Sequence, residues 1–547
     1  MPDETDHHDG AHPDGTRTTI ERAARDPTIN LALDTIRRDK QALVFVNTKK
    51  GAEKVAEEIA KKQKSSKQVH KEVADSILNE LSTPTKQCRR LAKAAEKGIA
   101  FHHAGLTTNQ RQIIEDRFRD GSIRIIACTP TLAAGVDLPA FRTIIRDLRR
   151  YTQRGYSYIS VLEYLQMAGR AGRPDFETYG EAICISSTEE EKDTILDVFV
   201  KGEPEPIYSK LAVEPVLRTY VLSLIATGFV RTHSEIMAFF EETYWAHQFR
   251  DMMRLELIID KILSLLEHWE FLRSTKENNG QEDDFRSADS LDDGDPTFKP
   301  TPLGRRVAEL YLDPLTAHHL IKGVRRASGM SDIVDFAILQ LVCNTLEMRP
   351  LLKVRTKEME DIHEVAARYE DEMLEREPSI YEPEYEDYIN SVKTAKCLHE
   401  WIDEESEEEL LERYAIRPGE LKGKIDIADW LLYAASELAR LQEFPEVRKA
   451  LGRIRTRLSY GAREELLGLL RLKGIGRVYA RKLFSNNIRD VGILKKTSYR
   501  TLAHLLGNRR AAHVKEQLGQ GDEVSQETRP VRKRGSGRMG QQSITDF

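Results

Sequence analysis

Residues 42–62 read ALVFVNTKKGAEKVAEEIAKK: a five-residue apolar run from Ala42 to Val46, a polar turn, then a segment whose apolar positions recur at the helical period. The pattern repeats downstream. GIAFHH (98–103) is apolar again, NQRQIIEDRFRDG (109–121) has helical spacing, SIRIIAC (122–128) is a further apolar run, and EAICIS (181–186) is the last of the series. Strands alternating with helices predict a parallel α/β domain over about residues 28–200. Open sheets of this kind bind their ligands beyond the carboxyl ends of the strands, so the turns after each run are the places to look for chemistry.

Outward from this block the composition changes. Residues 1–27 are rich in Asp, His, Gly and Thr and poor in apolar residues, which predicts a disordered leader. Residues 201–312 carry three helix-periodic segments, an acidic insert at 275–296 and a short extended segment, an order compatible with a winged helix and equally with a small helical bundle. Residues 313–452 are almost wholly helical in pattern, residues 453–518 form a last ordered unit, and 519–547 are a basic, glycine-rich tail predicted to be disordered. With 547 residues, several domains are expected. The net charge of −6 predicts no polyanion partner by itself, so any nucleic-acid surface has to come from local segregation of charge. The five cysteines are far apart, without metal-ligand spacing, and no apolar stretch reaches membrane-spanning length. No metal site and no membrane association are expected, and the chain is read as intracellular, cytoplasmic or nucleoid-associated.

Four stretches carry the chemistry. In QMAGRAGRP (166–174), Arg170 and Arg173 sit three apart on a glycine-punctuated turn, able to aim two planar cations at one polyphosphate. TPTLAAGVDLP (129–139) follows a strand with small residues that permit close backbone approach to a ligand. HHAGL (102–106), with Arg111 and Glu115 nearby, and FVNTKKGAEKVAEEIA (45–60) occupy two further strand-to-helix edges, where Thr48, Lys49 and Lys50 are placed to hold backbone phosphates.

Taken in chain order, from FVNTKK to QMAGRAGRP, the four stretches resemble motifs IV, IVa, V and VI of the second RecA-like domain of superfamily 2 helicases. The chain from about residue 28 to 515 resembles the archaeal Hjm-type DNA repair helicases, in the portion lacking the first RecA-like domain. The resemblance implies a second RecA-like domain, a winged helix, a helical ratchet domain and a helix-hairpin-helix domain, and 3′ to 5′ movement on single-stranded and forked DNA in repair or replication restart. It implies nucleotide contacts for Gln166 and Arg170, an arginine finger at Arg173, and a motif V coupling segment with Gly135 and Asp137. A backbone contact is implied for Thr129. Between motifs V and VI the family places a strand-separating hairpin; here RDLRRYTQRGYSYISVLEY (146–164) would supply it, with Arg150 to Tyr156 as the tip and Tyr151 or Tyr156 stacking on a base.

LKGKIDIADWLLYAA (421–435) resembles the ratchet helix, with Trp430 stacking on a base and Lys422 and Lys424 attracting phosphates; a core role for Trp430 stays open. Some relatives carry an arginine two turns before this tryptophan, where this chain has Gly423. LKGIGRVYARK (472–482) resembles a helix-hairpin-helix: Gly474 and Gly476 permit a tight turn whose amides can hold a phosphate, beside Arg477 and Arg481. In the tail, Gln541, Ile544 and Phe547 have the spacing of a sliding-clamp binding box.

No GxxxxGK[ST] and no DExH occur; GELKGK at 419–424 has the wrong spacing. ATP and Mg²⁺ are therefore expected only together with a first RecA-like half supplied in trans, and the chain alone is expected to be inactive. The alternatives left open are a non-catalytic DNA-binding, clamp-tethering remnant and one half of an RNA helicase.

Overall fold

The computed structural model describes residues 7–11, 17–64, 67–81, 83–152, 155–172, 178–275 and 296–520. They fall into two compact units, Met1–His399 with Glu405–Arg455, and Glu400–Glu404 with Thr456–Phe547.

The first unit opens with a correction to the expected disordered leader. Strands β1 (His7–Ala11) and β2 (Arg17–Glu21) form an antiparallel ladder, with His7 opposite Glu21. Apolar composition misses such a pair because backbone hydrogen bonds build it, and Ile20 of β2 lies in the neighbouring core.

Helix α1 (Pro27–Arg37) starts with Asp26 accepting from the Thr28 amide and Pro27 in the first turn, where its missing N–H costs nothing. Strand β3 (Ala42–Phe45) leads into α2 (Lys49–Lys62); α3 (Gln68–Leu78) and α4 (Lys86–Ala95) precede β4 (Ile99–His102). Then come α5 (Thr108–Arg119), β5 (Ile125–Cys128), the short α6 (Thr131–Gly135) and β6 (Arg142–Ile145). The hairpin β7 (Arg149–Thr152) and β8 (Gly155–Tyr158), α7 (Val161–Ala168) and β9 (Glu181–Cys184) complete the domain.

The sheet order is β4-β5-β3-β6-β9, all parallel. Strands β3 to β6 are buried on both faces, as continuous apolar runs such as IIAC require. At the amino edge Arg142, 2% exposed, reaches Asp34 at 3.0 Å, Glu181 at 2.6 Å and the Leu31 carbonyl at 3.0 Å, tying α1 to two strands.

After α8 (Glu189–Ile195) and the π-helical turn Leu196–Val200, a linker reaches α9 (Glu214–Ala226), α10 (His233–Glu241), α11 (Tyr244–Phe249) and α12 (Met252–His268). The antiparallel pair β10 (Leu272–Ser274) and β11 (Phe298–Pro300) flanks the acidic insert, whose residues 276–295 lie outside the described residues. Helices α13 (Pro302–Glu309), α14 (Pro314–Ser328), α15 (Asp335–Cys343), α16 (Met359–Arg368), α17 (Tyr385–Ile402), α18 (Glu407–Tyr414) and α19 (Pro418–Leu441) follow, then α20 (Pro445–Tyr460). The second unit packs α21 (Leu467–Leu470), α22 (Arg477–Ser485), α23 (Val491–Lys496), α24 (Tyr499–Leu506) and α25 (Asn508–Gln517) around its own core, including Leu466, Leu469, Leu483, Leu502 and Val514.

Candidate nucleotide and nucleic-acid interface

The motif V and motif VI segments are joined to one another at the amino edge of the sheet, just before β6. Ala140 N–H donates to the Arg170 carbonyl at 2.9 Å and Gly172 N–H to the Ala140 carbonyl at 2.7 Å. The Arg170 guanidinium, half-buried, donates twice to the Ala133 carbonyl, at 3.1 and 2.6 Å, and meets the exposed Asp137 carboxylate at 2.9 Å. The planar fork of arginine suits this double contact. Gln166 and Gly135 are exposed, and Leu162 and Leu165, 44% and 40% exposed, lie with Gln166 along the open face of α7. Helix α7 is held at its N-terminus by Ser160, which accepts from the Glu163 amide, and by Glu205 of the following linker, which accepts from the Val161 and Leu162 amides. Those backbone bonds hold the Glu205 carboxyl below the usual range. Arg173 lies outside the described residues.

Between these motifs the expected hairpin is present as β7–β8, with Tyr151 directly opposite Tyr156 and exposures of 84% and 68%. Its base is fixed: Tyr158 and Tyr164 pack on the buried Phe199 with ring centroids 5.6 and 5.5 Å away. Arg150 pairs with Glu163 of α7 at 2.8 Å, so it braces the hairpin, while the two tyrosines face solvent.

At the first strand edge Thr48 caps α2, accepting from the Gly51 amide at 3.0 Å. Lys49 forms an ion pair with Glu420, at the start of α19. Thr129 is buried and its hydroxyl meets that of Thr131 at 2.9 Å. The HHAGL turn is an internal joint. A Cβ on Gly419 would lie 2.1 Å from the Leu106 carbonyl, and one on Gly105 would lie 2.2 Å from Cδ of Arg417, so two backbones approach here as only glycine allows. Beneath them Glu53, 4% exposed, receives Arg417 at 3.2 Å, Arg90 at 2.6 Å and His103 at 3.3 Å. Burial pushes its carboxyl upward, but these three partners outweigh it and hold it at about 2. His102, buried against Glu115 at 3.0 Å, is pushed down by burial.

Along α19, Lys422 pairs with Asp426 at 2.7 Å and Lys424 donates to the Met348 and Pro350 carbonyls at 2.5 and 2.6 Å. Burial lowers the Lys424 ammonium below its usual range. The Trp430 indole is half-buried, its N–H donating to the Leu310 carbonyl at 3.2 Å, and Gly423 is open to solvent with no atom near its Cβ position.

In the second unit Gly474 has φ +87°, the left-handed turn its position requires, and Gly476 precedes α22, whose first amides have no side-chain cap. Arg477 stacks its guanidinium 4.0 Å from the Trp401 ring, and Arg481 pairs with Glu404 at 2.5 Å and Glu465 at 2.9 Å. Gln541, Ile544 and Phe547 lie outside the described residues.

Several of the cations read as phosphate contacts are thus engaged internally: Lys49, Arg150, Lys422, Lys424 and Arg481 by carboxylates or carbonyls, and Arg477 by an indole. The sequence reading missed the Glu53–Arg417 joint. Its only local signal was a glutamate in register with Ala52, Val55, Ala56 and Ile59 on the buried side of α2.

No helix among the described residues is long and apolar enough to cross a membrane, and no cluster of three or more His, Cys, Asp or Glu side chains among them is arranged to hold a metal ion. Comparison with known families matches residues 79–175 to the helicase conserved C-terminal domain and residues 336–461 to the archaeal helicase domain 4. The chain is 35% identical over 513 residues to the ATP-dependent DNA helicase Hel308 of Methanocella arvoryzae, covering 92% of this chain and 66% of that one. It is 36% identical over 509 residues to Hel308 of Methanococcus vannielii (87% and 65%) and 36% identical over 474 residues to Hel308 of Pyrococcus horikoshii (85% and 62%). It therefore spans just under two thirds of the length of these curated relatives. A parallel α/β sheet with joined motifs V and VI, two matched helicase domains and this shared identity make the chain a homologue of the archaeal Hel308-type superfamily 2 DNA helicases.

Proposed function

We propose that this chain is the C-terminal part of an ATP-dependent DNA helicase, working on single-stranded and forked DNA with 3′ to 5′ polarity in repair or replication restart, and that it completes its nucleotide site with a first RecA-like half. The observation that carries this reading is the open face formed by Gln166, Leu162 and Leu165 beside Arg170, which the motif V turn holds in place. Apolar side chains exposed next to an oriented guanidinium suit a facing protein lobe with bound nucleotide. In this reading Gln166, Arg170 and Arg173 contact the nucleotide, and the β/γ-phosphates and Mg²⁺ belong to the other half. Residues 201–312 act as a winged helix, 313–452 as the ratchet, 453–518 as a helix-hairpin-helix, and Tyr151 and Tyr156 split the duplex. Thr48 and Thr129 at the sheet edge, Trp430 on α19 and the amides after Gly476 hold the single strand. The tail residues Gln541, Ile544 and Phe547 offer a sliding-clamp contact.

The test is DNA-stimulated ATP turnover by the purified chain, alone and mixed with a Walker-bearing RecA-like half. Turnover only in the mixture, abolished by Arg173→Ala with DNA binding retained, is expected. Absence of turnover in both, with single-strand binding intact, would leave a DNA-binding protein in place of a motor.

A further inference from the structure

Helices α13 and α19 run antiparallel, since the carbonyl of Leu310, just past α13, accepts from Trp430, while Pro302 at its start lies with Leu441 at the end of α19. The face of α19 that looks onto α13 continues past Trp430. One turn on is Tyr433, 37% exposed, its hydroxyl 3.3 Å from Arg306 and its ring 4.9 Å from the Arg455 guanidinium. One turn further Glu437 pairs with Arg306 at 3.0 Å. At the end of this face is a cavity of about 290 Å³ with an apolar floor of Pro300, Pro302 and Leu441, and Arg305, Arg306 and Glu309 beside it. Arg306 is neutralised by Glu309 and Glu437, whereas the exposed Arg305 side chain makes no ion pair or hydrogen bond among the described residues.

An indole, a phenol one turn on, an apolar hollow and an unpaired guanidinium, in line over three turns of helix, are the components of a sequence-independent single-strand track: faces for bases and a cation for the backbone. We propose that the α13–α19 groove carries single-stranded nucleic acid onward from Trp430, with Tyr433 as a second stacking platform, a base or sugar seated against Pro300 and Leu441, and Arg305 on the adjoining phosphate. The proposal rests on the DNA-binding reading above. It also places a stacking group on α19 in a chain whose position two turns before Trp430 is Gly423.

The experiment uses the full chain and fluorescein-labelled oligo(dT), titrated over a range of salt concentrations. Tyr433→Ala should weaken binding about fivefold or more, and Tyr433→Phe should stay within about twofold of wild type, as stacking requires. Arg305→Ala should reduce the slope of log K against log salt by about one. In the unaltered chain, photocrosslinking to 5-iodouracil-substituted oligonucleotide should label Tyr433 itself, distinguished from Trp430 on the same peptide by fragment-ion sequencing, a readout independent of any variant's folding. If wild type binds and Trp430→Ala weakens it, while Tyr433→Ala and Arg305→Ala behave as wild type and Tyr433 stays unlabelled, the groove is not on the track and the DNA-binding reading survives. If the wild-type chain does not bind oligo(dT), both fall.

Discussion

Burying a carboxylate costs several kcal/mol unless cations meet it, and Glu53 is met by Arg417, Arg90 and His103 from three separate segments. Because its folded value lies near 2 and its ordinary value at 4.5, the unfolded state binds its proton first as pH falls. The stabilisation is complete above about pH 4.5 and is lost as pH falls towards 2. Hydrogen exchange at Gly419 and Leu421 should therefore accelerate across that window in the wild type. In Glu53→Gln it should be faster already at pH 7, because the half-buried Arg417 and the buried His103 lose the carboxylate that receives them while Arg90 keeps Glu57, a loss of about 1–3 kcal/mol. A variant indistinguishable from wild type at pH 7 would contradict the role given to the joint. Arg142 presents the same physics at the other edge of the sheet. Arg142→Met leaves the half-buried Asp34 and Glu181 with Arg38 as their cation, at 2.9 and 4.0 Å, and amide protection in β6 should drop by about 3 kcal/mol. A change under about 1 kcal/mol would show that water or rearrangement compensates.

At the scale of elements, the β7–β8 hairpin has a fixed base and an exposed tip. Tyr158 and Tyr164 hold it to Phe199, and Arg150 to Glu163, while Tyr151 and Tyr156 face solvent. Replacing both tip tyrosines by alanine should leave the thermal unfolding profile unchanged within about 1 °C, since neither side chain is buried. In the reconstituted motor the same change should cut forked-duplex unwinding at least tenfold while DNA-stimulated ATP turnover stays within about twofold. Equal loss of both activities would place these residues in nucleotide coupling and not in strand separation. Helix α19 has a comparable division of labour along its length: its first turn is held by Lys49 and the Gly105 carbonyl, and its middle carries Trp430 and Tyr433.

Over the whole molecule, the parallel sheet of the first unit and the helices after Thr456 bury separate hydrophobic cores with no residue in common. Separate cores of different size and composition should open with different free energies. Differential scanning calorimetry of the full chain should resolve more than one transition, with the amides of Leu483 and Leu502 exchanging on a different free-energy scale from those of β3 and β5. A single two-state transition would mean that the whole chain folds as one cooperative block.

Much of this organisation is local and was legible in the sequence. Strand and helix periods are set by neighbouring residues, so the alternation from Ala42 to Cys128 determines a parallel α/β domain, and helical spacing beyond Pro206 determines the mostly helical remainder. The ordered motifs at strand ends likewise name the family, because each is a contiguous string. What tertiary structure alone decided is which charges are available. Lys49 meets Glu420, 371 residues away, and Glu53 meets Arg417, 364 residues away. Lys424 is drawn to carbonyls before α16, and Arg481 to Glu404. A charged side chain looks the same in sequence whether water, phosphate or a buried carboxylate receives it, and its partner is chosen by how distant segments pack. The leader's ladder escaped for a related reason: its bonds are between backbones, which composition does not record.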